Sequence, residues 1–444
     1  MPDDGFVQFN KHIIEYMRGV YVLLLISLLG YAGRVGGQES VTITQCYEWA
    51  RANYPQIHQM GLIDQTERYS LSNVGKAWLP QLSVSGKASY QSDVTKLPLD
   101  GDKISSLLPG FEIPSLSKDQ YQVVAQVDQT IWDGGSTRSA RALTRAEAIA
   151  NREQLESELY ALNDRVNQIY FGCLLQDELI RQNALLQKEL QVNIERIEAM
   201  MENGVANQSD LESMEVELLN ARQNEIELRA SRTVYRQMLA TFINKPLTDQ
   251  VVLKTPESPE RSLSTQINRP ELRALDAKSE WIETQNKQVT AGLMPRIGAF
   301  VQGGYGRPGL NMLEDSFEPY YVAGVRLSWN LGKLYTLKND RRKIEVSRRQ
   351  IDVQRETFLF NTRLQLLRQN TEIKKMTDLM RADDDIIRLR TSIKQAAEVK
   401  LENGVISVTD LIREINAEDM ARQTAAAHRV QRLMTIYNYM YTTN

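Results

Sequence analysis

Glu202-Asn203-Gly204-Val205 recurs 200 residues later as Glu402-Asn403-Gly404-Val405, and an Asp-Leu pair follows each copy at residues 210–211 and 410–411. Each copy ends a long stretch that contains no proline. Asparagine and glycine tolerate the left-handed backbone with which helices often end. Both sites are therefore predicted to be turns at which a long helix ends and a second helix runs back.

The rest of the chain shows the same duplication. Matching motifs occur in the same order in both halves: Asn53-Tyr54-Pro55 with Asn268-Arg269-Pro270, Leu79-Pro80-Gln81-Leu82 with Met294-Pro295-Arg296-Ile297, and Trp132-Asp133-Gly134-Gly135 with Trp329-Asn330-Leu331-Gly332. Similarity over such a length indicates two copies of one structural unit. We place the first repeat at 38–243 and the second at 270–444, with a connector at 244–269.

Helical periodicity dominates each repeat. In the first helix, apolar residues fall at alternating spacings of four and three: Leu155, Leu159, Leu162, Val166, Ile169 and Cys173. This spacing predicts a coiled-coil seam. A helix of about 65 residues would be about 100 Å long at 1.5 Å per residue. The predicted helical hairpins span 136–243 and 334–441.

Strand periodicity precedes each hairpin, at 81–132 and 296–331. Apolar residues alternate with polar ones over about ten residues per strand, and aromatic residues lie near the strand ends: Tyr90, Tyr121, Trp132, Tyr305, Tyr321 and Trp329. An ordinary sheet on a hydrophobic core would also alternate. The length, the period of two and the aromatic ends are typical of outer-membrane strands. Since four strands cannot close a barrel in lipid, we expect a trimer that shares about twelve strands.

The N-terminus reads as an export signal. An apolar run at 19–33 follows Lys11 and Arg18, and small residues continue to Gly37, so residues 1–37 are predicted to be a signal peptide. Met17-Arg18 would make a compact positive start, which suggests initiation at Met17. A membrane anchor is the alternative interpretation.

Composition argues against several classes of protein. The net charge is −3, and the two cysteines and three histidines are scattered along the chain. We therefore expect no nucleic-acid partner, no metal site, no catalytic triad and no cofactor. The sequence contains no phosphate-binding glycine loop with lysine, so an enzyme is not expected.

Together, the duplicated motifs resemble the TolC-like outer-membrane factor family, also called outer membrane efflux proteins, from about Ser40 to Tyr441. The resemblance implies a mainly α fold with a β-barrel portion. Long helical hairpins would form a periplasmic tunnel, and each protomer of a homotrimer would add four strands to a twelve-stranded outer-membrane barrel. It also implies a passive exit duct of a tripartite efflux pump or type I secretion system. The partners would be a periplasmic adaptor, a proton-driven or ATP-driven inner-membrane pump, and outer-membrane lipid.

The main alternative is a periplasmic coiled-coil adaptor or scaffold of an export complex. Such adaptors usually carry one helical hairpin, whereas this chain repeats hairpin and strand pair twice. Cargo selectivity is expected to reside mainly in the pump.

By the same resemblance, Asp210 and Asp410 are candidates for lining the closed periplasmic end of the tunnel. Each also stands three residues after Asn207 or Ser407, a spacing that favours helix capping. Arg413 replaces a second acidic residue of some relatives, and an Asp410–Arg413 contact could tie the tip closed.

Three further interpretations concern exposed groups. The turns 203–205 and 403–405 are candidates for docking the adaptor, or are turns without a partner. Trp132 and Trp329 are expected to anchor strand ends at the lipid interface. The acidic run 383–385 is interpreted as a solvated helix face, with a cation-attracting stretch of the tunnel as the alternative.

Overall fold

The structure, a computed structural model, describes residues 40–95, 116–259, 264–312 and 314–444. The predicted signal peptide and the Met17 start lie outside the described residues, as does part of the loop between the first two strands. The chain divides into two compact units. The first contains the described parts of Met1–Tyr54, Ala161–Thr265 and Leu366–Thr442, and the second contains Pro55–Tyr160, the described parts of Gln266–Gln365, and Thr443–Asn444.

The second unit contains a four-stranded antiparallel sheet in the order β2-β3-β5-β6. Its strands are β2 (Gln81–Tyr90), β3 (Asp119–Trp132), β5 (Arg296–Arg307) and β6 (Glu318–Ser328). With 10 to 14 residues each, the strands reach the length that a bilayer requires. A bulge between Thr130 and Trp132 shifts the register of β3 on β5.

The sheet has two edges in one chain, because β2 and β6 each pair with only one neighbour among the described strands. The apolar face predicted from the sequence is exposed along both edge strands: Leu82 is 72% exposed and Val84 70% on β2, and Val325 is 70% exposed on β6. Among the residues that the structure describes, no segment of the chain packs over this face along the two edge strands.

Helices of the second unit flank the sheet. They are α2 (Gln59–Gly75), α3 (Ser136–Tyr160), α6 (Pro270–Ala291) and the first part of α7 (Lys333–Glu402). Short 3-10 turns at Pro55–His58 and Lys76–Trp78 flank α2. Ile282 of α6 packs in a small core with Ile344 and Ile351 of α7.

Two helical hairpins belong mainly to the first unit. The first hairpin consists of α4 (Leu162–Glu202) and α5 (Gln208–Ile243), and the second of the rest of α7 and α8 (Val408–Thr443). All six residues of the predicted seam are at most 5% exposed, but Leu155 and Leu159 lie on α3 and the other four on α4. Within the described ranges, no helix carries an apolar stretch long enough to cross a bilayer.

One predicted helix is interrupted. The segment expected to run unbroken from Ser136 to Met201 divides into α3 and α4 at Ala161, whereas its counterpart α7 is continuous over 70 residues. Ala161 keeps a right-handed backbone with ψ −16°. A local tightening towards 3-10 geometry therefore separates the two helices, and no proline or glycine is involved.

Two further elements were not predicted. Helix α1 (Ile43–Asn53) begins at Thr42, whose hydroxyl accepts a bond from the Gln45 backbone N–H at 3.3 Å in a capping box. The connector contains strand β4 (Val252–Leu253), which pairs in parallel with β1 (Ser40–Val41).

Both cysteines belong to the core that α1 and α4 share. Cys46 and Cys173 are free and fully buried there, and burial raises the pKa of each thiol to about 12. Both cysteines therefore act as small packed residues of the core.

Candidate functional site

The first helical hairpin turns at Gly204, whose φ is +70°. The Val205 N–H donates to the Met200 carbonyl at 2.9 Å, and the Gly204 N–H donates to the Met201 carbonyl at 2.9 Å. This pair of bonds is the Schellman motif, which satisfies the last carbonyls of a helix. The turn therefore depends on glycine for its backbone conformation, because side chains disfavour a positive φ.

The second hairpin turns in the same way. Gly404 has a φ of +69°, and the matching bonds run from Val405 to Lys400 at 2.8 Å and from Gly404 to Leu401 at 2.9 Å. Val205 is 57% exposed and Val405 69%. Each turn thus exposes one apolar side chain, that of its valine, to solvent.

Asp210 and Asp410 each close a capping box just after the turn. The Asp210 N–H donates to Asn207 Oδ1 at 3.1 Å, and the Asn207 N–H donates back to Asp210 Oδ2 at 3.1 Å. Asp410 makes the same exchange with Ser407, with bonds of 3.2 Å in each direction. The side-chain and backbone bonds from Ser407 lower the pKa of Asp410, with a smaller contribution from Arg413. Asp410 is therefore ionised at neutral pH.

Arg413 contacts Asp410, but within one helix. Arg413 Nη1 lies 3.4 Å from Asp410 Oδ1 at i,i+3 spacing, and Arg413 Nε lies 3.3 Å from Glu414 Oε1. This contact lies within α8 and joins no second segment of the chain, so a role of Arg413 in closing the tip stays a prediction. The side chain of Arg413 is 70% exposed.

The two hairpins pack against each other directly behind the turns. Their shared core contains residues from all four helices: Leu190, Ile194, Ile197, Met214, Leu218, Ala221, Ala397, Leu401, Val408, Leu411, Ile412 and Ile415. An ion pair between Arg196 Nε and Glu402 Oε1 at 3.7 Å adds to this contact. The structure therefore brings the two predicted tip turns together at one end of the first unit.

A polar cluster that sequence reasoning missed lies further from the turns. Lys394 Nζ bonds to Glu189 and lies 2.6 Å from Glu418 Oε2, so that it joins the first hairpin to the second. Glu418, which is 2% exposed, also accepts bonds from Thr391 at 2.6 Å and from Arg422. Although burial raises the pKa of Glu418, the bonds from Lys394, Thr391 and Arg422 lower it overall. The cluster is therefore a buried ion network between helices α4, α7 and α8.

Asp419 borders the same cluster. Burial raises its pKa to about 6, and the nearby carboxylates of Glu189 and Glu418 add to this effect, while Gln423 and Arg422 oppose it. The Gln423 amide donates to Asp419 Oδ2 at 2.6 Å. Asp419 is therefore a carboxyl group that takes up a proton at mildly acidic pH.

This shift predicts a pH dependence of stability. Between pH 3.8, the ordinary pKa, and about pH 6, the folded protein keeps a proton on Asp419 that the unfolded chain has lost. Stability should therefore fall as the pH rises through this window, and Asp419→Asn should flatten that fall. The melting temperature of the purified protein between pH 4 and 7 measures the effect. Asp378→Asn, at a carboxylate whose side chain is 72% exposed, is the control that should leave the pH profile unchanged.

The acidic run 383–385 is only partly solvated. Asp384 and Asp385 are exposed, but Asp383 is 7% exposed and its Oδ2 lies 2.8 Å from His428 Nδ1 on α8. Its predicted role as a solvated face is wrong for Asp383, because the packing of α7 on α8 covers that side of the helix.

The predicted interfacial aromatics form two groups at opposite ends of the sheet. Tyr90, Tyr121, Tyr305 and Tyr321 lie at the loop end, and Trp132 lies at the end where the helices begin. Trp329 follows β6 at the helical end, where its Nε1 donates to the Leu293 carbonyl at 2.9 Å. All six are at least 41% exposed.

The separation of the two groups fits a bilayer. Eleven residue steps from Tyr121 to Trp132 span about 36 Å of strand at roughly 3.3 Å per residue. A strand tilt of about 40° reduces this to roughly 28 Å, close to the 25 Å apolar band of outer-membrane barrels. Phe317 was missed in the sequence analysis and joins the loop-end group, with ring centroids 6.4 Å from Tyr121 and 5.7 Å from Tyr305.

The opposite face of the sheet is polar. Arg326 Nη1 lies 3.8 Å from Asp128 Oδ1, and Gln126 donates to the same carboxylate at 2.7 Å. Gln122 bonds to the hydroxyl of Tyr320. A sheet with one apolar face exposed and one hydrogen-bonded polar face has the sidedness of a barrel wall around a water-filled lumen.

Comparison with known proteins gives the family. Residues 46–245 match the sequence profile described as outer membrane efflux protein. These 200 residues therefore form an outer membrane efflux protein domain. A search of curated protein sequences finds no match.

Solved structures with the same fold support the assignment. The efflux protein is similar to the outer-membrane channel OprN (TM-score 0.64, 14% identity, 90% of this chain and 89% of that chain), and to the Neisseria gonorrhoeae MtrE outer membrane channel in its open state (0.62, 14%, 90% and 88%). It is also similar to the outer membrane protein VceC of Vibrio cholerae (0.60, 12%, 90% and 95%). At these identities the likeness shows the fold: a helical tunnel with a β-barrel portion.

The family assignment gives location and function. The efflux protein is a channel of the bacterial outer membrane with a periplasmic helical extension, and it is the exit duct of a tripartite efflux pump. Its family is one of channels and not a class of enzymes.

Proposed function

We propose that the efflux protein acts as a passive homotrimeric conduit, in which three copies close one twelve-stranded barrel and no copy performs a catalytic step. The observation that carries this proposal is the sheet with two unpaired edge strands, β2 and β6, and an exposed apolar face. An open edge in lipid would leave backbone N–H and C=O groups without partners, which costs several kcal/mol for each group. Pairing of β2 of one copy with β6 of the next removes both edges.

The adaptor is proposed to dock on the two turns, residues 203–205 and 403–405. The turns lie close together, each presents an exposed valine, and hydrogen bonds cap the helix on either side of each glycine. An inner-membrane pump, proton-driven or ATP-driven, would then deliver cargo through the adaptor. The order of the helices and strands in the two halves agrees with the proposed repeats at 38–243 and 270–444, joined by the connector at 244–269.

A cross-linking experiment tests the assembly. One cysteine is introduced on the polar face of β2 (Ser83→Cys) and one on that of β6 (Val322→Cys), in a background where Cys46 and Cys173 are replaced by alanine. Further pairs move either cysteine to a neighbouring position of its strand. We expect oxidised trimers in outer-membrane fractions for the pairs in register, and none when either cysteine is present alone. A protein that remains monomeric in native outer membranes, by mass and by cross-linking, would refute the shared barrel.

Asp210 and Asp410 are proposed to line the pore while they cap their helices. Because Asp410 is ionised and partly exposed beside the turn, Asp410→Asn should reduce the preference of the channel for cations severalfold. The asparagine side chain can still accept the hydrogen bond from Ser407. Single-channel reversal potentials in a salt gradient measure this preference. Asp249→Asn, at a carboxylate 88% exposed on the connector, is the matched control. Unchanged selectivity in Asp410→Asn and in Asp210→Asn would remove both residues from the pore.

A further inference from the structure

A basic groove of about 1050 Å³ lies in the second unit, where strand β3 gives way to helix α3. Its walls carry two tryptophans and four cationic side chains from α3 and α6: Trp78, Trp132, Arg138, Arg141, Arg145 and Lys287. This volume is at the upper end of small-molecule sites, which are roughly 300–1,000 Å³. The groove is therefore large enough for a polar headgroup.

In the part of the chain that the structure describes, the four cations have no acidic partners. Among the described residues, no carboxylate oxygen lies within 4.0 Å of their charged nitrogens. Asp133 is the one acidic residue among those lining the groove, and both of its oxygens are engaged: Oδ1 accepts from the Gly135 N–H at 2.9 Å and Oδ2 from the Thr137 N–H at 2.6 Å. The groove therefore has a strong excess of positive charge.

Helix stability does not explain these cations. Arg138 and Arg141 lie in the first two turns of α3, where the positive end of the helix dipole disfavours them, and the first turn contains no acidic residue. Helix α7, which also leaves the sheet, begins in the same way: its first turn has no acidic residue, and Lys338 and Arg341 follow without an ion-pair partner among the described residues. Both α3 and α7, the helices that follow strands of the sheet, thus carry cationic side chains near their N-termini, where the helix dipole disfavours positive charge.

The position of the groove identifies its ligand. Trp132 ends the apolar face of β3 at the helical end of the sheet, and tryptophan at such a place marks the level of the lipid headgroups. The helices continue from this end into the periplasm, so the headgroups belong to the periplasmic leaflet. Guanidinium groups bind phosphate oxygens in pairs of parallel hydrogen bonds.

We propose that the groove binds the phosphate of an anionic phospholipid headgroup of the periplasmic leaflet, with the acyl chains against the apolar face of the sheet. Arg138, Arg141 and Arg145 lie at i, i+3 and i+7 on one face of α3, and Lys287 reaches in from α6. The site depends on the outer-membrane location of the protein and not on its cargo or its periplasmic tip.

Lipid retention by the purified full-length protein tests the proposal. After incubation with phosphatidylglycerol in detergent and delipidating washes, native mass spectrometry counts the lipids that remain bound. The triple variant Arg138→Gln/Arg141→Gln/Arg145→Gln should retain at least fivefold less phosphatidylglycerol than the unmodified protein. Phosphatidylcholine, whose headgroup is neutral overall, should be retained weakly by both.

A matched control removes the same charge elsewhere. Arg181→Gln/Arg381→Gln/Arg388→Gln changes three arginines whose side chains are 64%, 76% and 70% exposed on helices of the first unit, and it should retain phosphatidylglycerol normally. Equal retention by the α3 triple variant would overturn the proposal, as would an equal loss in the control. Protection against thermal unfolding by inorganic phosphate alone, to the same extent as by the lipid, would also overturn it, since the site would then take free phosphate.

Discussion

A Val325→Arg variant should fail to assemble in the outer membrane. Val325 stands near the middle of β6 on the apolar face, 70% exposed and opposite Ala299. Arginine at the midplane of a barrel's lipid face costs about 2–4 kcal/mol, and a shared barrel would carry the change three times. We expect a loss of trimers that resist SDS without heating, measured on outer-membrane fractions.

The same substitution on the opposite face is the control. Val322 lies on the same strand but borders a cavity lined by polar residues such as Gln122 and Gln302. Val322→Arg adds the same charge and length to the water-filled side, so the variant should still form trimers. If both variants assembled equally well, the face assigned to lipid would be wrong.

Lys394→Met should loosen the contact between the two helical hairpins. The substitution keeps most of the side-chain volume but leaves Glu189 and the buried Glu418 without their shared cation. Breaking a buried ion pair by removing one partner typically costs about 3–5 kcal/mol. Guanidinium unfolding followed by circular dichroism measures the loss, and hydrogen exchange should show faster opening of α8 and of the end of α7.

Two further variants distinguish the loss of the Lys394 ion pairs from the loss of side-chain packing. Lys375→Met on the same helix removes a lysine whose side chain is 54% exposed and whose partner, Glu372, is one turn away, so it should cost at most about 0.5 kcal/mol. Glu418→Gln combined with Lys394→Met should recover part of the stability, because no buried carboxylate is then left with only one of its two cations, Arg422. A Lys394→Met protein as stable as Lys375→Met would show that the buried network contributes nothing.

At the two hairpin turns, the predictions that depend only on residues close together in the sequence were confirmed. A glycine at the end of an apolar heptad pattern predicts a left-handed helix end, and both Gly204 and Gly404 have a positive φ. The spacing of Asp410 from Ser407 likewise predicts a capping box. The i,i+3 spacing of Arg413 from Asp410 likewise favours the contact that the two side chains make within α8.

The prediction was incomplete where two distant segments meet. Glu189 and Lys394 are 205 residues apart, and no spacing in the sequence pairs them. Arg138 and Lys287 likewise converge on one groove only because α3 packs on α6. Phe317 directly precedes strand β6, and an aromatic residue at a strand end is the pattern by which Tyr121 and Tyr305 were assigned to the interface. The same pattern could have placed Phe317 with them.

By itself, the sequence determined the duplicated motifs, the strand alternation, the two hairpin turns and the need for partner strands, because these features follow from side-chain period, glycine backbone freedom and backbone hydrogen bonding. Only the tertiary structure decided that α3 and α4 separate at Ala161, that Asp383 faces His428, and that four cationic side chains gather beside Trp132. These features depend on which helices pack together and on the charges that such packing brings into contact, and neither is encoded in the spacing of residues along one element.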